Sequence, residues 1–337
     1  AARLNKRGVH TMHLKTLLAG LSLRSATADM ETEITRISYD SRTTAPGDVF
    51  VAMTGFAVDG HKFIPTVFEQ GAAIVLSEHE LTDPAGPYVL VESTTDAMKK
   101  LAAFYRKSLD IKVVGITGSV GKTTTREMIA AALSARFRVY KTPGNSNSQV
   151  GVPVTLSEIT ENDQVGVIEL GMSEPGEMTV IANIARVDMA VITNIGITHI
   201  GQLGSQENIL REKLHITDGM KDGGLLILNG DDPLLKGVQG REGLRTVYYG
   251  TGENCDFRAV DICFEDGFPS FTAVHGADRQ RVRLNVMGQH NVMNAMAAMA
   301  VCAECGMTME EALAYVQCLP DCEVGADVPV LFGPAGP

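Results

Sequence analysis

Two hydrophobic rhythms run along the chain, and the change between them falls near Ile111. Before it, short apolar runs are interrupted by turn-forming residues. "ITRISYDSRTTAPGDVFVAM" predicts two short strands around a turn at Pro46–Gly47. "DGHKFIPTVFEQGAAIVLSE" reads as a loop, a helix stopped at Gly71 and a strand. "TDAMKKLAAFYRKSL" has helical spacing and bridges to the next unit of the chain. From Ile111 onward, "KVVGIT", "VGVIEL", "MAVITNIG" and "GLLILNG" are continuous apolar runs of strand length. Helical stretches separate them, such as "TTREMIAAALSARF" with Ile129, Ala132 and Leu133 on one side. Strands buried on both faces read this way, so the pattern predicts a mainly parallel sheet covered by helices.

The expected class is therefore α/β. A small mixed N-terminal domain is expected over residues 12–95, and a central domain with the mainly parallel sheet over 96–315. In such sheets function belongs beyond the carboxyl ends of the strands. Residues 316–337 contain "LPDCEVGADVPVLFGPAGP", rich in proline and glycine, and read as a tail. The opening "AARLNKRGVHTMHLKTLLAGLSLRSATA" has the basic and leucine-rich look of a targeting segment. Lys15 and Arg24 interrupt its apolar part, so the preferred reading is an amphipathic helix beginning near Met12, with residues 1–11 an extension.

Charge and cysteine usage narrow the partners. A net charge of -11 argues against a broad nucleic-acid surface. It leaves room for anionic small substrates, which a local nest of amides can hold. No apolar run reaches the length of a membrane span. All six cysteines lie in the last third, and "CAEC" with the later "CLPDC" has the spacing of zinc ligands. Cys302 and Cys305 sit in an alanine- and methionine-rich helical stretch, however, where thiols act as small apolar groups. Nothing suggests a disulfide scaffold, so a reducing cytoplasm and a monomer without membrane or nucleic-acid partners are expected.

The chemistry centres on "GITGSVGKTTT", Gly115 to Thr125. The usual phosphate-loop spelling, G-x-x-x-x-G-K-[ST], would need its first glycine at Ile116. A strand before and a helix after still place backbone amides around a phosphate. Gly118, Ser119, Gly121 and Thr124 then line the cradle, Lys122 reaches the terminal phosphates and the Thr123 hydroxyl holds Mg²⁺. No Asn-Lys-x-Asp segment for guanine lies downstream, which favours ATP. Glu169 ends an apolar strand, where a carboxylate can hold the same metal. His199 comes after another buried strand. In "GSQENILREKLHITDGM", Ser205 is a plausible N-cap, and Ile209, Lys213, Ile216 and Met220 share one face. Lys213 is the only charge in that stripe: either it snorkels to water, or burial leaves a neutral amine able to take up CO₂ as a carbamate. Asn291 and Asn294 lie one turn apart at a helix start, where they can cap the helix or read adenine through their amides.

Together these segments resemble the ATP-dependent Mur ligases of bacterial peptidoglycan synthesis, with the MurF-type branch nearest and the MurE type next. That family spells its loop T-G-[ST]-x-G-K-[ST]-[ST], which "TGSVGKTT" matches. "SYDSRTTAPGDVFVAM" and "DGHKFI" resemble its UDP-sugar domain, and "YKTPGNSNSQVGVPVTL" the segment that separates the two branches. "ELGM", "ITNIGITHI", "ENILREKL", "ILNGDDPLL" and "GQHNVMNAMAA" stand in family order, so that the likeness runs from about Met12 to Leu313.

The resemblance implies amide formation between UDP-MurNAc-tripeptide and D-Ala-D-Ala, driven by ATP through an acyl phosphate. It implies two Mg²⁺ ions, held through Thr123, Glu169, His199 and a carbamate on Lys213. It places Asn291 and Asn294 at adenine, Ser41, Arg42 and His61 near the UDP-muramoyl group, and Asn145 and Asn147 near its sugar-peptide end. A MurE-type ligase adding a diamino acid, or a binding fragment without turnover, are the alternatives. The chain departs from the pattern at Ser173–Glu174, where the family has Asn-His, and at Ser148, which replaces an amide. The family's third, Rossmann-like domain is expected to be absent.

Overall fold

The computed structural model describes residues 3–4, 10–19, 21, 23–54, 58–160 and 162–316. The expected tail, with Cys318 and Cys322, and most of residues 1–11 lie outside them.

The N-terminal part comprises β1 (Arg3–Leu4), β2 (His10–His13), α1 (Leu14–Leu18), β3 (Leu23–Ala26), β4 (Glu33–Ile34), β5 (Ile37–Ser38), β6 (Val49–Val51), α2 (Ile64–Glu69), β7 (Ile74–Ser77) and β8 (Tyr88–Val91). A five-stranded sheet runs β3-β8-β7-β6-β5, and β1, β2 and β4 make a small second one. Met12 thus corrects the expected helix start. It pairs with Ile34 as a strand, and the helix begins at Leu14, where the buried stripe Leu14, Leu17 and Leu18 sets in. The Pro46–Gly47 turn does join two strands, but β5 and β6 lie parallel rather than as a hairpin.

Helix α3 (Thr94–Ser108) links this part to the next. Ser93 caps it by accepting a hydrogen bond from the Asp96 amide, and Arg106 and Lys107 occupy its last turn, favourable to the helix dipole. Its early face, Ala97, Met98 and Leu101, packs in the N-terminal core with Val154. Ala102 and Leu109 join the core of the second sheet. An edge between domains at residue 95 therefore cuts just inside an element that serves both.

The central part continues through β9 (Lys112–Thr117), α4 (Lys122–Leu133), β10 (Val139–Lys141), α5 (Gly151–Glu158), β11 (Val165–Glu169), α6 (Glu177–Ala185), β12 (Met189–Ile192), α7 (Ile200–Leu203), α8 (Gln206–Leu214), β13 (Leu225–Asn229), β14 (Arg245–Gly250), β15 (Phe257–Glu265), β16 (Phe268–His275), β17 (Asp278–Arg283), α9 (His290–Glu304) and α10 (Met309–Val316). The sheet order is β10-β11-β9-β12-β13-β14-β15-β16-β17. The first seven strands are parallel, and the last three form an antiparallel meander. Helices α4, α9 and α10 bury one face and α5, α6 and α8 the other. The expected parallel, two-sided sheet is present; the meander carries a polar alternation that the apolar runs alone do not reveal. Among the described residues no helix is long and apolar enough to cross a membrane.

Candidate active site

Strand β9 lies inside the sheet between β11 and β12, and its carboxyl end feeds the glycine loop. Gly118 has φ 153° and Gly121 φ 80°. A Cβ on Gly118 would lie 1.9 Å from Thr193 Oγ1, whereas one on Gly121 would meet only Asn294 Oδ1 at 3.6 Å. Gly118 combines a close approach with a positive φ, and Gly121 makes a left-handed turn into α4 with room around it. The loop is pinned to the segment after β12. The Ser119 and Val120 amides donate to Asn194 O and Oδ1, both at 3.1 Å, and Thr193 Oγ1 donates to Val120 O at 2.7 Å. Ser119 Oγ accepts from the Gly196 amide at 2.9 Å. Ser119 is thereby a fastener of the cradle, and the amides at the start of α4, including Thr123 and Thr124, are those a helix leaves for an anion.

Lys122 bends back so that Nζ donates to Gly118 O at 3.0 Å. Burial holds its pKa below the ordinary lysine value, against the opposing pull of Glu169. Glu169 is the hub. It is 2% exposed and accepts from Thr123 Oγ1 at 3.0 Å and Arg126 Nη1 at 3.3 Å on Oε2, and from Asn147 Nδ2 at 2.7 Å on Oε1. A carboxylate and a hydroxyl at hydrogen-bond distance are the oxygen donors Mg²⁺ prefers, so the pair fits that ion. The buried Thr117 Oγ1, at the mouth of the same loop, has no hydrogen-bond partner, which is costly unless another group satisfies it.

Lys213, 3% exposed, lies on the buried face of α8, as does Ile209; the helix ends at Leu214, so Ile216, in a short 3-10 turn, and Met220 are buried but lie beyond it rather than on the single helical stripe expected. Ser205 does cap this helix, accepting from the Asn208 amide. Burial, followed by the positive charge of Lys122, lowers the Lys213 pKa to about 7, with Glu212 opposing. His199 holds a left-handed conformation at φ 65°, an uncommon one for a residue with a side chain and of the kind that clusters at functional sites. Burial, then Lys213 and Lys122, pull its pKa down, while Glu177 and Glu174 push it up. Loop lysine, buried lysine, histidine and Glu169 thus share one electrostatic neighbourhood.

The remaining candidates divide. Asn147 joins the site through Glu169, while Asn145 is exposed. Ser148, which stands where the family has an amide, accepts from the Gly151 amide at 3.2 Å, at the first residue of α5. At the other departure, Glu177 Oε2 gathers the Ser173 amide and hydroxyl and the Glu174 amide, and Oε1 accepts from Gln149. Asn291 and Asn294 are buried and already engaged. Asn294 accepts from Thr125 at 2.9 Å and donates to Asn291 Oδ1 at 3.0 Å, and Asn291 donates to Met287 O at 2.7 Å. Their amides fasten α9 to α4, a use competing with the adenine reading. In the N-terminal part, Arg42 pairs with Asp40, and Ser41 lies on the same turn. His61 Nδ1 faces Asp59 at 2.7 Å and its Nε2 accepts from the Glu78 amide, which fixes the tautomer with the proton on Nδ1. These three stand apart from the loop.

Sequence reasoning passed over Arg126, Glu177 and Asn194. Arg126 sits four residues past Lys122, a spacing that puts both on one side of α4. Asn194 stands inside the "ITNIG" stretch with no role assigned.

A parallel sheet with a glycine loop, lysine and threonine at the carboxyl end of an interior strand defines a P-loop nucleotide-binding protein. The model of the Mur ligase middle domain matches residues 116–302, and that of the Mur ligase family catalytic domain matches 33–109. The chain belongs to the Mur ligase family. It is 39% identical over 284 residues to the UDP-N-acetylmuramoyl-tripeptide–D-alanyl-D-alanine ligase of Bacillus subtilis, covering 84% of this chain and 61% of that one. MurF from Acinetobacter baumannii superposes with a TM-score of 0.86 at 29% identity, over 94% of this chain and 70% of that one. MurF ligase from Thermotoga maritima in complex with ADP gives 0.75 at 29% identity, over 84% and 66%. The chain spans about 61% of the length of the curated relatives it matches.

Proposed function

We propose that the chain supplies the UDP-substrate and ATP-binding parts of a cytoplasmic UDP-N-acetylmuramoyl-tripeptide–D-alanyl-D-alanine ligase of peptidoglycan synthesis. The observation that carries the reading is the contact of Thr123 with Glu169, with Lys122, His199 and Lys213 acting on one another's charge from the segments after β9 and β12 and from α8, in a chain 39% identical to the Bacillus subtilis ligase. In this reading residues 12–95 take the UDP-muramoyl end, with Ser41, Arg42 and His61 near it. Residues 96–315 take ATP, with Asn291 and Asn294 shaping the adenine side through their hold on α4.

The chemistry is attack by the tripeptide carboxylate on the γ-phosphate, which gives an acyl phosphate and ADP. The amine of D-Ala-D-Ala then displaces phosphate to form the amide. Two anions must meet in the first step. The amides at the start of α4 and the Lys122 ammonium hold the phosphates and offset their charge. Mg²⁺ at Thr123 and Glu169 would add charge neutralisation there. The neutral amine that burial favours at Lys213 is the form able to bind CO₂, and the resulting carbamate with His199 would offer oxygen and nitrogen donors to a second ion.

ADP release is measured with ATP, Mg²⁺ and UDP-MurNAc-tripeptide, with and without D-Ala-D-Ala. Release that requires the dipeptide and yields UDP-MurNAc-pentapeptide is the expected outcome. Turnover only with a diamino acid moves the chain to the MurE branch. Binding of ATP and UDP-sugar without any turnover makes it a binding unit.

A further inference from the structure

The interior of α4 holds a cation that the proposed chemistry does not use. Arg126 is 4% exposed and every arm of its guanidinium is engaged. Nε and Nη2 fork onto Glu127 Oε1 at 3.1 and 2.6 Å, and Lys141 pairs with the other Glu127 oxygen. Nη1 bridges two parts of the site: it donates to Gly144 O at 2.5 Å and to Glu169 Oε2 at 3.3 Å. Glu169 Oε2 is also the oxygen that Thr123 contacts, and Oε1 is held by Asn147. Gly144 and Asn147 belong to one loop, from β10 to α5. The loop is tied to the Glu169 carboxylate twice, once directly through Asn147 and once through Arg126.

A divalent ion taken up by Thr123 and Glu169 would compete with Arg126 for the same oxygen. Repulsion between the two positive charges shifts the guanidinium, and its short bond to Gly144 O moves with it. The fork to Glu127 limits that motion to a small swing rather than a release. We propose that Arg126 is a positioning residue that transmits occupancy of the Thr123–Glu169 cation position to the 144–149 loop, so that cation and loop are ordered together. This rests on the reading of Thr123 and Glu169 as a metal position. Arginine suits the task because its planar fork can hold three acceptors in fixed geometry, which a lysine ammonium does not.

The test uses Mn²⁺ alone, monitored by its paramagnetic resonance signal, and amide hydrogen exchange of residues 143–151 with and without the ion. In the native chain Mn²⁺ is expected to bind and to change exchange in that segment. In Arg126→Gln, with native circular dichroism, binding is expected to persist while the change in exchange drops about fivefold or more, the lower end of ordinary coupling between sites. Arg126→Lys keeps the charge without the fork and is expected to lose part of the response; it carries the test if the Gln variant does not fold. A folded Gln variant that binds Mn²⁺ with the native exchange response overturns the proposal. So does one that no longer binds Mn²⁺, because Arg126 would then build the metal position instead of linking it. Absence of Mn²⁺ binding to the native chain refutes the metal reading itself, and this inference with it.

Discussion

At Lys213 a four-carbon cation is 3% exposed on α8, and the cost of that burial sets its protonation. Its pKa of about 7 lies below the ordinary value of 10.5. Between those values the unfolded chain binds the proton and the folded chain does not, so the contribution of Lys213 makes stability rise with pH across that window. Below pH 7 both states are protonated and the full penalty of the buried charge remains. Lys213→Met should therefore be more stable than the native chain at pH 6.5, by about 1 kcal/mol or more. The difference should shrink toward pH 9, as urea titrations at each pH would show. An unchanged difference across that range would mean that Lys213 does not titrate there. Activity should move the opposite way. On the proposed ligase reading, Lys213→Ala should lower turnover, with partial rescue by short carboxylic acids if a carbamate is the working form.

At the scale of elements, the glycine loop separates two demands that a motif cannot. Gly118→Ala places a methyl onto a hydroxyl that fastens Val120, so the loop must shift; a cost of about 1–3 kcal/mol is expected. Gly121→Ala has room and meets only the left-handed backbone, costing about 1–2 kcal/mol. Thermal unfolding reads the stability of both variants. ADP affinity should fall much further in the first, because its clash deforms the cradle. Equal losses of affinity would show that backbone strain alone governs the loop. This contrast also marks what was legible in the sequence. The strand, loop and helix around Gly115–Thr125 come from local pattern, as do the buried face of α8 at Ile209 and Lys213 and its Ser205 cap. The partners of Asn294 and Arg126 come from elements far apart in the chain. No spacing rule tells that Asn294 will meet Thr125, or that Arg126 will reach Gly144. The β15–β17 meander was missed for another reason: one face of its strands is wet, which dilutes the apolar signal.

At the scale of the molecule, α3 packs into the cores beside both the five-stranded and the nine-stranded sheet. Its first half lies in the N-terminal core, together with Val154 from the central part. Tyr105 donates to Ile159 O at 2.6 Å. Its last turn is fixed by Arg106, which donates to Ala185 O at 2.9 Å, Leu109 O at 3.3 Å, Arg186 O at 3.0 Å and Asp188 Oδ2 at 3.1 Å. That same Asp188 oxygen accepts from the Val113 amide at the start of β9. A single guanidinium thus joins the linking helix to the base of the strand that carries the glycine loop. Because of these ties, the N-terminal and central parts should unfold together in urea, with protection of β7 and β12 amides lost at one midpoint. Arg106→Met removes the donor from the buried Ala185 and Leu109 carbonyls and from the half-buried Arg186 carbonyl, at a cost of about 2–3 kcal/mol. It should also loosen α3 from the central part while leaving the N-terminal core intact. The variant is therefore expected to show two midpoints, with β12 protection lost first. A variant that is destabilised yet keeps a single coincident transition would show that the shared core around Val154, rather than the Arg106 tie, holds the two parts in one cooperative unit.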